Sequence, residues 1–178
     1  MCILWKQVWG GYAEYDLKDA ESFYGRTKAL GELDDKKNVT IRSSIVGPDL
    51  NVDGIGLLNW FMKQREVVNG YEKVWWTGQT TLQYAKTVEE VAKERVHGTY
   101  NLVPDTSISK YDLLRLFNRY LRNDSLKVIP CDTPISDKSL KRTRYDFNYS
   151  VPDYEKMIAE LSKWIRNHKE LYPHYELD

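Results

Sequence analysis

The 178-residue sequence contains no apolar run close to the roughly 20 residues that a bilayer-spanning helix needs. Cysteine is scarce. Cys2 and Cys131 stand far apart and form neither a metal-ligand spacing nor a disulfide framework. Net charge is absent, with 26 basic side chains against 26 acidic ones, so no basic face for nucleic acid is expected. The opening Met1-Cys2-Ile3-Leu4-Trp5 is too short for a signal peptide and lacks a basic start. These absences predict a reduced, cytoplasmic protein with no metal site, no nucleic-acid partner and no membrane partner. Internal repeats, low-complexity stretches and linkers are also missing. So is any glycine-rich turn of the G-x-G-x-x-G type: Gly54 and Gly56 come closest, and no third glycine follows them at the required distance. The phosphate-cradling element of a dinucleotide fold is therefore not in this sequence.

What is present is an alternation of strands and helices. Asp19 is placed to cap a helix carrying Phe23, Tyr24, Thr27, Lys28, Leu30 and Leu33. The β-branched run from Asn38 to Val46 reads as one strand, stopped by Gly47-Pro48. Leu57 to Gln64 reads as a helix and Lys73 to Trp76 as a short strand. Thr80 to Val96 reads as an amphipathic helix with Leu82, Ala85, Val88, Val91 and Ala92 on its apolar side. A strand at Thr99 to Val103 follows. Ser109 and Asp112 then have capping-box spacing ahead of a helix from Lys110 to Leu121. Leu126 to Ile129 is a strand. Asp153 opens a last helix with Tyr154, Met157, Ile158, Leu161, Trp164 and Ile165 inward, and the tail from Leu171 is expected to be loose. Such alternation predicts an α/β layer fold with parallel strands.

The chemistry-bearing residues begin with Tyr24 and Lys28, four apart and so on one helix face. A lysine ammonium beside a phenol favours the phenolate, and such a phenol can exchange a proton with a carbonyl or alcohol oxygen. Arg42, Ser43 and Ser44 lie at a strand end, where open α/β sheets place ligands. A structural ion pair and turn hydrogen bonds are the equal alternative. Trp76, Thr77 and Gly78 form either a sugar-stacking wall or a core tryptophan at a strand end. Lys138, Arg142 and Arg144 are either a diphosphate clamp or a solvated basic loop. His97, His168 and His174 are isolated and read as exposed.

Four segments in order resemble a known family. Tyr24-Gly25-Arg26-Thr27-Lys28 matches the Tyr-x-x-x-Lys motif of short-chain dehydrogenases/reductases. With Val39-Thr40-Ile41-Arg42-Ser43-Ser44 behind it, the context resembles the extended, sugar-nucleotide-modifying branch, nearest to the dTDP-4-dehydrorhamnose reductase group. Trp75 to Thr81 and Lys138 to Phe147 resemble substrate-domain segments of that group.

The resemblance implies the C-terminal part of a Rossmann-like, doubly wound parallel sheet over residues 1–50, with a small α/β substrate-binding domain over 51–178. It implies Tyr24 as acid/base and Lys28 as the residue that tunes it and binds the nicotinamide ribose. Arg42, Ser43 and Ser44 would lie beside an NAD(P)H cofactor, and Trp76, Thr77, Arg142 and Arg144 beside a nucleotide-sugar substrate. It also implies a hydroxyl partner for Tyr24 at or before Met1, and an N-terminally truncated chain of weak activity. A non-catalytic nucleotide-sugar-binding module and an epimerase or dehydratase are the alternatives. An uncovered sheet edge predicts homo-oligomerisation or pairing with another chain.

Overall fold

A computed structural model describes residues 10–177. In chain order its elements begin with α1 (Phe23–Leu30), β1 (Val39–Arg42), β2 (Ser44–Val46), α2 (Leu57–Met62), β3 (Val67–Tyr71), β4 (Val74–Trp76) and β5 (Gly78–Thr80). They continue with α3 (Thr81–Lys93), β6 (Gly98–Asn101), β7 (Ile108–Ser109), α4 (Lys110–Leu121), β8 (Lys127–Cys131), β9 (Ser136–Asp137) and α5 (Tyr154–Asn167).

The run expected as one strand is divided at Ser43. β1 pairs in parallel with β6 and β2 in parallel with β5. Ser43 is fully buried and its hydroxyl donates to the Ser44 carbonyl at 3.0 Å. The side chain thus occupies the backbone acceptor where the chain changes partners. Gly78 permits the close passage of β5, because a Cβ there would stand 2.4 Å from the Ser44 oxygen. β3 pairs in parallel with β8, while β4 runs antiparallel to β7 and parallel to β9. Parallel pairs need long crossovers, and the helices supply them.

Helix starts follow local chemistry. Ser109 accepts the Asp112 N–H at 3.0 Å and Asp153 accepts that of Lys156 at 2.8 Å, both at the expected positions. For α1 the cap is Ser22, which accepts the Gly25 N–H at 3.1 Å, not Asp19. The face of α3 also differs from expectation. Gln83, Thr87 and Val91 are buried, whereas Ala85, Val88 and Ala92 are exposed. The buried polar groups satisfy one another: the Thr87 hydroxyl donates to Gln79 Oε1 at 2.6 Å, and the Gln79 amide donates to the Leu102 carbonyl at 2.7 Å. A matched network of this kind removes the desolvation cost that made a polar face look like an outward one.

One core lies between α2, α4, α5, β3 and β8, built on Leu58, Phe61, Leu113, Phe117, Leu161 and Ile165. A second gathers Val91, Tyr100, Leu102, Phe147 and Met157. Trp164, expected inward, is partly exposed and stacks on His168 with ring centroids 3.9 Å apart. The tail is anchored, not loose. Tyr172 and Tyr175 are buried in the first core and stack on each other at 5.9 Å. Tyr175 Oη accepts the Asp49 N–H at 3.0 Å, and burial pushes its phenol up to about 12.

Tyr175→Ala is therefore expected to cost about 3 kcal/mol of unfolding free energy, and Tyr175→Phe about 1 kcal/mol for the lost hydrogen bond. Denaturant melts of the two variants check this. Equal stability of Tyr175→Ala and the parent would mean that the tail does not pack.

Candidate functional site

α1 is a short helix at the surface. Gly25 is its buried residue, and Phe23 and Leu30 are each 84% exposed. Tyr24 is half exposed and Lys28 is partly buried one turn on, with its Nζ 5.5 Å from the centroid of the Tyr24 ring. The Thr27 hydroxyl donates to the Tyr24 carbonyl at 2.9 Å. Tyr24 and Lys28 thus share one solvent-facing side, with the ammonium beside the phenol face. The expected hydroxyl partner falls outside the described residues.

Arg42 is buried and structurally engaged. Its Nε and Nη2 donate to Glu32 Oε1 and Oε2 at 2.8 and 2.7 Å, a bidentate fork, and Lys18 Nζ reaches the same carboxylate at 2.9 Å. Arg42 Nη1 donates to the Glu14 carbonyl at 3.1 Å. Burial works to raise the Glu32 carboxyl, but the hydrogen bonds and charges of Arg42 and Lys18 outweigh it and hold the group below the usual carboxylate range. Of the two readings of Arg42, the geometry supplies the ion pair.

Trp76 packs between the two cores, 5.8 Å from the Tyr154 ring, with Lys110 Nζ 5.2 Å above its own. Thr77 is buried and its hydroxyl accepts the Leu140 N–H at 2.8 Å. Arg142 donates to the carbonyls of Arg144, Phe147 and Tyr149. Arg144 donates to Asp146 Oδ2 at 2.7 Å, Tyr100 Oη at 2.9 Å and the Thr99 carbonyl at 3.1 Å, and its guanidinium lies 4.0 Å over the Tyr100 ring. Both arginines are brought together, and their donors hold the 142–149 segment in place.

Two features were not expected. Glu14 receives the Asn101 N–H at 3.0 Å and the Thr143 N–H at 2.9 Å, tying β6 to the 140s. A groove of about 660 Å³ opens between α2, β3 and α4, with Trp60, Tyr71, Val67, Asn69 and Lys110 among its walls. Its outward residues Val67, Asn69 and Tyr71 alternate along β3 with inward Val68 and Gly70, a period-2 signal that the polar Asn69-Gly70 pair obscures in sequence. Among the described residues no group of His, Cys, Asp or Glu is arranged to hold a metal ion, and no helix is long and apolar enough to cross a membrane.

The lowered Glu32 carboxyl has a pH consequence. Its folded-state value lies below the unfolded one, so the pair's contribution is complete above the unfolded value and is lost as pH falls through the folded one. Below about pH 4 the parent should lose stability more steeply than Glu32→Gln. Melting midpoints across that range test this, and parallel curves would exclude the contribution.

No family model matches the sequence, and no curated protein matches it significantly. Solved structures do match. A dTDP-4-dehydrorhamnose reductase from Clostridium acetobutylicum aligns over 88% of this chain and 60% of its own, at 18% identity and a TM-score of 0.68. One from Bacillus anthracis, in complex with NADP, aligns over 85% of this chain and 58% of its own, at 16% identity and a TM-score of 0.67. A dTDP-glucose 4,6-dehydratase from the same organism, in complex with NAD, aligns over 95% and 59%, at 13% identity and a TM-score of 0.62. The chain thus spans about 60% of the length of these proteins. Over most of its length the chain carries the α/β fold seen in solved dTDP-4-dehydrorhamnose reductases, a dTDP-glucose 4,6-dehydratase and a UDP-N-acetylglucosamine 4-epimerase.

Proposed function

We propose that the chain is a nucleotide-sugar reductase-like protein in which Tyr24 is the acid/base and Lys28 its electrostatic partner. One observation carries the reading: on a fold shared with dTDP-4-dehydrorhamnose reductases, the two side chains lie on one face of α1 with the ammonium 5.5 Å from the phenol ring centroid. The substrate would be a 4-keto-deoxy sugar on dTDP, reduced to the alcohol. Tyr24 donates its proton to the carbonyl oxygen as negative charge develops there. Lys28 then stabilises the phenolate that remains. NAD(P)H, when bound, supplies the hydride.

The residues present fit that cofactor at one end. Tyr24 and Lys28 offer a hydroxyl and an ammonium to the nicotinamide ribose. No glycine-rich turn in the sequence offers backbone amides to the pyrophosphate. The expectation for this chain alone is therefore weak turnover or none.

Residues 1–50 carry the catalytic helix and strand in this reading, and 51–178 the substrate side. The Trp60–Tyr71 groove suits a nucleotide: aromatic faces for the base and the Lys110 ammonium for phosphate. Lys110 also lies over Trp76, which links the groove to the Trp76–Thr77 strand end. Among the described residues, the exposed Phe23 and Leu30 of α1 and the unpaired second edge of β1 support association with a second chain.

A non-catalytic nucleotide-sugar-binding module is the second reading. A dehydratase is less favoured, because Glu21, the acidic residue nearest Tyr24 in sequence, precedes the Ser22 cap and lies outside the helix.

Calorimetry with dTDP-sugars and NADPH-oxidation assays separate these readings. Nucleotide-sugar binding is expected in both, and Trp60→Ala should weaken it by about tenfold, the loss of roughly one stacking contact. Any turnover should vanish in Tyr24→Phe with binding retained. Turnover that survives Tyr24→Phe would overturn the acid/base assignment, and the absence of nucleotide-sugar binding would overturn both readings.

A further inference from the structure

α1 carries the proposed acid/base pair yet has almost no apolar anchor, since Gly25 is its buried residue. The attachments lie just beyond its C-cap, Gly31. Glu32 has a side chain 1% exposed and closes the bidentate fork with Arg42, whose side chain is 3% exposed on β1. Lys18 joins the same carboxylate from the segment before the helix. Leu33 adds a second tie: its N–H donates to Thr40 Oγ1 at 3.0 Å, and the Thr40 hydroxyl donates back to the Leu33 carbonyl at 2.8 Å. From Arg42 the chain of contacts continues through the Glu14 carbonyl at 3.1 Å. The Glu14 carboxylate reaches the Asn101 N–H on β6, and both the N–H and the hydroxyl of Thr143. One continuous polar relay therefore joins α1, β1, β6 and the 140s.

A buried ion pair is a weak contributor to net stability, because desolvating both ions offsets most of their attraction. A bidentate guanidinium–carboxylate fork is good at fixing direction, since two parallel hydrogen bonds leave little rotational freedom. These properties suit a helix that must be oriented although little holds it by burial. We propose that Glu32 and Arg42, extended by Glu14, are positioning residues that fix the Tyr24–Lys28 helix against the sheet. The inference rests on the role proposed for Tyr24 and Lys28, but the clamp can be read without substrate. The rival account is an ion pair that stabilises the whole fold evenly.

Amide hydrogen exchange on the full chain decides between them, with ζ-carbon labelling of tyrosine to follow Tyr24 by NMR. In Glu32→Gln, exchange of the α1 amides should rise about tenfold or more, well beyond any rise in α4 and α5. The Tyr24 resonance should shift, and Glu32→Asp should restore part of both signals. If Glu32→Gln fails to fold, Arg42→Lys gives the same test, because it keeps the charge and loses the fork. Glu14→Gln should loosen the 139–144 segment with a smaller effect on α1. Equal acceleration in α1, α4 and α5 would overturn the proposal, as would unchanged α1 exchange. Failure of the proposed function appears separately, as turnover or binding indifferent to Tyr24→Phe, and leaves the exchange result standing.

Discussion

The Arg42 guanidinium is the constraint on which the placement of α1 depends. Arg42 sits at the end of β1, where the chain leaves its pairing with β6 for the β2–β5 pair. From there it grips Glu32 with two donors and the segment before α1 with a third. Packing does the rest of the structural work elsewhere. Phe61, Phe117 and Leu161 are fully buried in the α2–α4–α5 core. The chain thus combines a part held by apolar burial with a part held by hydrogen-bonded charge.

That contrast bears on function. A helix fixed by polar contacts at one end keeps its other side free, and here the free side carries Tyr24 and Lys28. The arginines show the opposite arrangement. Arg142 and Arg144 look in sequence like phosphate ligands, but their donors meet carbonyls, Tyr100 and Asp146. The Arg144 contact holds the Asp146 carboxyl below its ordinary range, while burial, with Asp146 adding to it, raises the Tyr100 phenol. This cluster stiffens the 140s segment, against which the Glu14 end of the relay is set.

Local signals were legible where the deciding contact lies within a few residues. The N-caps at Ser109 and Asp153 and the apolar faces of α4 and, Trp164 apart, α5 could be read directly, because periodicity and cap chemistry set them. The Ser22 cap was missed because Asp19 offers the same chemistry three residues earlier, and only the backbone path chooses between them. The α3 face was misjudged because its partner, Gln79, makes a polar face worth burying. Tyr172 and Tyr175 looked like a loose end because the hydrogen-bond partner of Tyr175, Asp49, lies more than a hundred positions away and the core they join is built by other elements. At the site, Tyr24 and Lys28 were visible as a motif. Glu32 and Glu14 were not, because their meaning comes from long-range partners in β1, β6 and the 140s.

In the proposed reading a dTDP-sugar presents its sugar to Tyr24 and Lys28 and its base to the groove beside β3. Titration of isotope-labelled protein with a dTDP-sugar, followed by amide and side-chain NMR shifts, checks this. Saturable shifts are expected at Tyr24 and Lys28 together with Trp60, Tyr71 and Lys110. Shifts confined to the far side of α4 and α5, or no saturable shift at all, would contradict it.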